Sequence, residues 1–118
     1  MELVAFLGND KETWGQVTAL INREQWDKIV LVQNKSVSGF PIPVNGEMIT
    51  IDSSVSLIDL KQELLEKLKR AIGGEFEVAL SLASGNGKEH MALIGALLNI
   101  PVGIKLVVFT KKGVEFIT

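Results

Sequence analysis

The chain alternates short, mostly apolar runs with longer stretches in which apolar residues recur every three to four positions. Continuous apolar runs of four to six residues are typical of strands that are covered on both faces, as in parallel sheets. A recurrence of three to four is typical of amphipathic helices. The pattern predicts strands at 3–7, 29–32, 48–51, 78–82, 104–109 and 114–117, and helices at 14–21, 57–72 and 88–99.

The order of these elements predicts the fold class. Strands that alternate with helices form a parallel sheet with right-handed crossovers, which gives a three-layer, Rossmann-like α/β fold in a single domain, 1–118. The turn at 111–113 sends the chain into a last strand, which we expect to be antiparallel and at an edge. In the doubly wound strand order the first strand lies beside the fourth, and ligands bind in the crevice at their carboxyl ends.

Two further stretches predict features outside the sheet. The segment 33–47 is long and contains Gly39, Pro41 and Pro43, which predicts a mobile flap near the carboxyl edge. The third helix has almost no polar face, which indicates cover on both sides. Because a domain of this size covers only one side, we predict a homodimer that uses this helix as a major contact.

Composition narrows the function classes. Hydrophobic residues make up 47% of the chain, enough for a real core. The absence of cysteine excludes disulfides and thiolate zinc sites and fits a reducing cytoplasm, and we expect no metal and no cofactor. A net charge of −2 predicts no attraction for long nucleic acid. No apolar run is long enough to predict a membrane span, and no secretory signal is visible.

Two glycine-bearing loops carry the candidate chemistry. The first strand ends in Gly8-Asn9-Asp10, and the fourth ends in Ser84-Gly85-Asn86-Gly87-Lys88. Glycine allows positive φ angles and close approach of a ligand to the backbone. The helix that begins here directs free N–H groups and its positive dipole end outward, and Lys88 adds a full charge, which together suit a phosphate. The alternative is that Asn86 and Asp10 only cap helices and the glycines only make turns.

Several common site types do not fit these residues. A P-loop requires glycine at the position of Leu82 and Ser or Thr at the position of Glu89. The dinucleotide fingerprint is also missing, since only Gly8 closes the first strand. His90 is the only histidine, so it is either a ligand contact, a general acid or base, or a structural residue.

The sequence LASGNGKEHMALIGALL at 82–98 resembles the signature region of CARF (CRISPR-associated Rossmann fold) domains, in which the fourth strand ends in a Gly-rich turn with a lysine before an apolar helix. The resemblance implies a homodimer that senses cyclic oligoadenylate, or a related nucleotide, in antiviral defence. In a member that cleaves the ring, a metal-independent ring nuclease, Lys88 would be the catalytic group. The residues expected to contact the ligand are Gly8, Asn9, Ser84, Gly85, Asn86, Gly87, Lys88 and His90. A non-catalytic α/β interaction or assembly module is the alternative function, and the sequence leaves both open.

Overall fold

A computed structural model describes residues 1–72, 74 and 76–118. They form β1 (Glu2–Leu7), a 3-10 turn (Lys11–Thr13), α1 (Trp14–Arg23), β2 (Lys28–Asn34), β3 (Gly46–Ile51), α2 (Leu57–Ala71), β4 (Glu77–Ser81), α3 (Gly87–Leu98), β5 (Gly103–Thr110) and β6 (Gly113–Phe116). Within this part of the chain, no helix is long and apolar enough to cross a membrane.

The six strands make one sheet in the order β3-β2-β1-β4-β5-β6. The first five strands are parallel, and β6 runs antiparallel to β5 at the edge. The predicted fold class is confirmed, including the position of β1 beside β4. The connections from these two strands leave in opposite directions, so a crevice opens between their carboxyl ends.

Helices cover both faces of the sheet, which explains the continuous apolar runs. Along β1, Val4 and Phe6 pack with α2 and α3, while Leu3, Ala5 and Leu7 pack with α1. All five side chains are fully buried. Burial of a large apolar side chain contributes about 1.5–3 kcal/mol, so the central strand is a major source of stability.

Side-chain caps fix where two of the helices begin. The Ser56 hydroxyl accepts a hydrogen bond from the Asp59 N–H at 3.2 Å, and α2 begins directly after it. Asn86 caps α3 in the same way. The sequence pattern places the end of α2 at Gly73-Gly74; the helix ends at Ala71, and Gly73 lies outside the described residues.

The connection between β2 and β3 differs from the predicted flap at the carboxyl edge. It leaves β2 at that edge but returns to β3 at the opposite one, because the two strands are parallel. On the way Phe40 is buried against the α1 side of the sheet, in an edge contact with Trp14 at 5.6 Å between ring centroids. The segment 35–45 is therefore a crossover that is anchored by the buried side chains of Val37 and Phe40, while Ile42 and Val44 remain exposed.

The third helix is not covered all round by its own chain. Leu93 and Leu97 are fully buried with the other residues of the α2–α3 core. Met91 and Leu98, seven positions apart and thus on one stripe, are 63% and 71% exposed. An apolar contact of α3 with another protein would fall on this stripe.

Candidate ligand-binding site

The two glycine loops touch each other through their backbones. A Cβ atom on Gly8 would lie 2.6 Å from the Gly85 backbone nitrogen. This distance is too short for a side chain, so only glycine fits at position 8 without a shift of the backbone. Gly85 itself has a φ of 104°, and a Cβ there would lie 2.9 Å from both His90 and Phe6. Gly87 has an ordinary φ and open space around it, so the expectation of a positive φ holds only at Gly85.

Ser84 joins the loops through a small buried network. Its hydroxyl accepts a hydrogen bond from the Gly8 N–H at 2.8 Å and lies 2.6 Å from the Thr13 hydroxyl. The Thr13 hydroxyl also donates to the Asp10 carbonyl. The Gly8 carbonyl accepts from the Trp14 indole at 2.9 Å, so both backbone groups of Gly8 are in use. Ser84 has no exposed surface, and its role in the folded chain is to hold the loops together.

A crevice of about 280 Å³ lies between the loops. We call it the loop crevice; its lining residues are Gly8, Asn9, Asp10, Thr13, Gly85, Asn86 and Glu89. Asn9 is exposed. Asn86 also lines the crevice; its Oδ1 accepts a hydrogen bond from the Glu89 N–H at 2.9 Å, so its Nδ2 group is the part of the side chain left to donate to a ligand. The amides of Asn9 and Asn86 are the side-chain donors best placed to form hydrogen bonds with a ligand.

The start of α3 is built around the buried carboxylate of Glu89. Its Oε1 accepts from the Asn86 N–H at 2.9 Å and completes the capping box. Its Oε2 accepts from the Ser53 hydroxyl at 2.8 Å, which ties the β3–α2 loop to α3. The first backbone N–H groups of a helix have no intrahelical acceptor, so those of Gly87 and Lys88 remain for a ligand or water.

Lys88 lies beside the loop crevice but does not line it. Its amine donates to the Ser53 carbonyl at 2.8 Å and to the Val55 carbonyl, so in this structure it pins the β3–α2 loop. The side chain is nevertheless exposed and flexible. Contact between Lys88 and an anion requires the amine to exchange these carbonyls for it.

His90 also makes an internal contact. Its Nε2 lies 2.6 Å from the Ser84 carbonyl, so Nε2 must carry the proton that it donates. The ring stands edge-on to Phe6 at 6.5 Å between centroids. This geometry fixes the orientation of the imidazole beneath the turn, and His90 does not line the loop crevice.

The β3–α2 loop has a charged group of its own. The Ser54 hydroxyl and backbone N–H donate to the Asp52 carboxylate at 2.6 and 3.0 Å, and Lys35 pairs with it at 3.2 Å. Hydrogen bonds from Ser54, followed by the contact with Lys35, lower the pKa of Asp52 from 3.8 to about 2. This loop is therefore ordered by charge at one end and by Lys88 and Glu89 at the other.

The lining of the loop crevice lacks the positive charge that the sequence predicts for this site. Two carboxylates, Asp10 and Glu89, and no cation are among its lining residues. Both carboxylates are turned to local donors, since Asp10 accepts from the Glu12 N–H at 3.0 Å. Within the described ranges, no group of three or more His, Cys, Asp and Glu residues is arranged to hold a metal ion.

Half of the predicted site residues meet in the loop crevice. Gly8, Asn9, Gly85 and Asn86 line it, while Ser84, Gly87, Lys88 and His90 surround it or hold it together. Sequence reasoning missed Thr13 and Glu89 as lining residues. The available signal was their spacing, because each follows its glycine loop by less than one helical turn.

Comparison with known proteins matches this fold to solved structures. One is Enterococcus italicus Csm6 bound to cyclic hexa-2'-fluoro-hexa-dAMP, with a TM-score of 0.63 and 17% sequence identity over 90% of this chain. This chain shares its fold with a domain of Csm6. It covers 32% of the Csm6 chain. The predicted resemblance to CARF domains is confirmed at the level of the fold. No family model and no curated protein matches the sequence.

Proposed function

We propose that this chain is a nucleotide-sensing domain that binds a cyclic oligoadenylate, or a related nucleotide, at the loop crevice. The observation that carries the proposal is the shared fold with a domain of Csm6, a protein that is seen bound to cyclic hexa-2'-fluoro-hexa-dAMP. The loop crevice lies at the carboxyl ends of the neighbouring strands β1 and β4, which is where folds of this kind bind ligands. The side-chain donors there are the amides of Asn9 and Asn86. The first N–H groups of α3, which follow Asn86 directly, are the backbone donors beside it.

The size of the loop crevice supports a site made from two copies. At about 280 Å³ it falls just below the range of roughly 300–1,000 Å³ typical of small-molecule pockets. A ring of several nucleotides exceeds it greatly. Two crevices facing each other across a two-fold axis would supply the missing area, with the exposed stripe of Met91 and Leu98 as the candidate contact.

Lys88 is a cation beside this site, and its bonds to the β3–α2 loop give it a second role. An approaching phosphate competes with the carbonyls of Ser53 and Val55 for the amine. The bonds from the ammonium to these carbonyls are charge-assisted on one side only, whereas a phosphate adds a full opposite charge, so the exchange favours the phosphate. Binding would then release the β3–α2 loop from the start of α3.

A ring-cleaving version of this function requires no metal. A ribose 2′-hydroxyl held in line would attack the adjacent phosphorus, forming a 2′,3′-cyclic phosphate and releasing the 5′-oxygen, which takes up the proton. Lys88 would stabilise the charge that develops on the phosphate oxygens. Incubation with cyclic tetra- and hexa-adenylate followed by chromatography tests this step, since a linear product with a cyclic phosphate end is expected only if cleavage occurs.

Calorimetric titration with cyclic tetra- and hexa-adenylate tests the binding proposal. We expect saturable binding of one ring per two chains, and a loss of about tenfold to a hundredfold in affinity for Lys88→Ala. Asn9→Ala should weaken binding by about tenfold. The control is Gln16→Ala, an exposed residue of α1 that lines neither loop. Absence of binding, or equal affinity in all three variants, contradicts the site assignment.

A further inference from the structure

A second cleft, apart from the loop crevice, carries unneutralised positive charge. It lies where the β5–β6 hairpin meets the end of α1 and has a volume of about 500 Å³. We call it the hairpin cleft; its lining residues are Arg23, Phe109, Thr110, Lys111, Lys112, Gly113 and Val114. It has no lining residue in common with the loop crevice.

Three cations and no carboxylate line the hairpin cleft. None of Arg23, Lys111 and Lys112 forms an ion pair with any carboxylate in 1–72, 74 or 76–118. Glu115, the acid within the hairpin, accepts a hydrogen bond from the Thr110 hydroxyl instead. In a molecule of net charge −2, this is a local concentration of positive charge around a concave surface, which raises the local concentration of anions.

The geometry favours a compact anion over an aromatic ligand. The Arg23 guanidinium lies 5.7 Å from the centre of the Phe109 ring and takes up one of its faces, and the ring also packs against the core on the α1 side, which leaves little of it for stacking on a base. Gly113, with a φ of 109°, closes the tight turn that holds the two lysines next to each other. A planar guanidinium beside two flexible ammonium groups matches the tetrahedral oxygens of a phosphate.

We propose that the hairpin cleft binds the phosphoryl groups of a small phosphorylated molecule, independently of the loop crevice. The phosphate is the part recognised, so inorganic pyrophosphate and the diphosphate of a nucleotide should bind with similar affinity. Binding should weaken as salt increases, because the cations are exposed and screened.

The test is a titration of the isotope-labelled full chain with pyrophosphate and with ADP, followed by amide NMR at low ionic strength. Saturable shifts are expected at Arg23 and at 111–114. The double variant Lys111→Gln/Lys112→Gln should lose about tenfold in affinity, because it removes two of the three cations that line the cleft. A tenfold loss corresponds to about 1.4 kcal/mol. The matched control is Lys69→Gln/Arg70→Gln, which removes the same charge from two exposed cations at the end of α2 and should bind like the wild type.

Each other outcome overturns the proposal. Equal weakening in the two double variants would assign the effect to net charge alone. Binding of ADP without pyrophosphate would show that a base, not a phosphate, is recognised. Shifts confined to 85–88, or no saturation with either probe, would leave the hairpin cleft without a ligand. Thermal unfolding of both variants checks that the exposed substitutions leave the fold intact.

Discussion

At the scale of single residues, the two glycines of the turn at 84–88 differ in whether the fold requires glycine at their positions. Gly85 is required by its backbone, because its φ of 104° and the nearby atoms of Phe6 and His90 exclude a side chain. Gly87 begins α3 with an ordinary φ and no atom within 4 Å of an added Cβ. The fold of this chain therefore does not require glycine at position 87.

Alanine substitutions test this difference. Gly85→Ala should lower the free energy of unfolding by about 1–3 kcal/mol through strain at positive φ and overpacking. Gly87→Ala should raise it by up to about 1 kcal/mol, because alanine restricts the unfolded chain and favours the helix. Urea denaturation measures both values. Equal stability of the two variants would contradict the conformation described for the turn.

At the scale of elements, the β3–α2 loop responds to pH through Asp52. Its pKa is about 2 in the folded chain and near 3.8 in the unfolded chain. A lowered folded pKa contributes stability that is present above pH 3.8 and is lost as the pH falls toward 2.

Replacing Asp52 removes part of this acid sensitivity. Asp52→Asn should flatten the fall in stability between pH 5 and pH 2, as followed by thermal unfolding across that range. Asp59→Asn, which removes an exposed carboxylate near the start of α2, is the control and should keep the wild-type slope. An unchanged slope in Asp52→Asn would show that the contacts with Ser54 and Lys35 do not persist in solution.

The sheet and helices could be predicted because their signals are local. The continuous apolar runs, the cap at Asn86 and the doubly wound order together place the two glycine loops side by side. The crossover at 35–45 could not be predicted, because burial of Phe40 depends on its contact with Trp14, which is far away in sequence. The exposed stripe on α3 was hidden for another reason, since a helix with few polar residues gives no sign of which face is covered.

Only the part of the candidate site that is set by the position of the backbone could be predicted. Loop positions follow from the strand order, so Gly8, Asn9, Gly85 and Asn86 could be brought together in advance. The destination of a long side chain is set by elements distant in sequence, and the Lys88 amine bonds to residues more than 30 positions away. A flexible lysine could reach either its loop or a ligand, and sequence alone does not choose between them.

At the scale of the whole molecule, exposed apolar residues indicate how two copies would meet. In addition to the α3 stripe, the ends of β4 and β5 border an apolar cavity of about 220 Å³ whose lining includes Leu82, Leu106 and Ile117. Ile117 is 61% exposed. We expect a homodimer that covers this region of the molecule.

A charge on the α3 stripe should disrupt that dimer. Met91→Glu/Leu98→Glu should give a monomeric mass by analytical ultracentrifugation at micromolar concentrations where the wild type is dimeric, because two carboxylates would be desolvated at each contact. Val44→Glu, a change at a fully exposed position of segment 35–45, should leave the mass of the wild type unchanged. A monomeric wild type would exclude the two-copy site.

The Gly8–Ser84 contact also has a consequence for how the chain folds. The β1–β2 and β2–β3 pairings join strands that follow each other in sequence, whereas the β1–β4 pairing and the contact between the loops join residues 76 positions apart. Because closing a long loop costs more entropy, we expect the β1–β4 junction to form after the folding barrier.

Ser84→Ala should then accelerate unfolding while leaving the folding rate nearly unchanged, and Val30→Ala should slow folding, as measured by stopped-flow kinetics. The ligand would bind at the last junction to form and the first to open, so that occupancy of the loop crevice would lengthen the lifetime of the folded state.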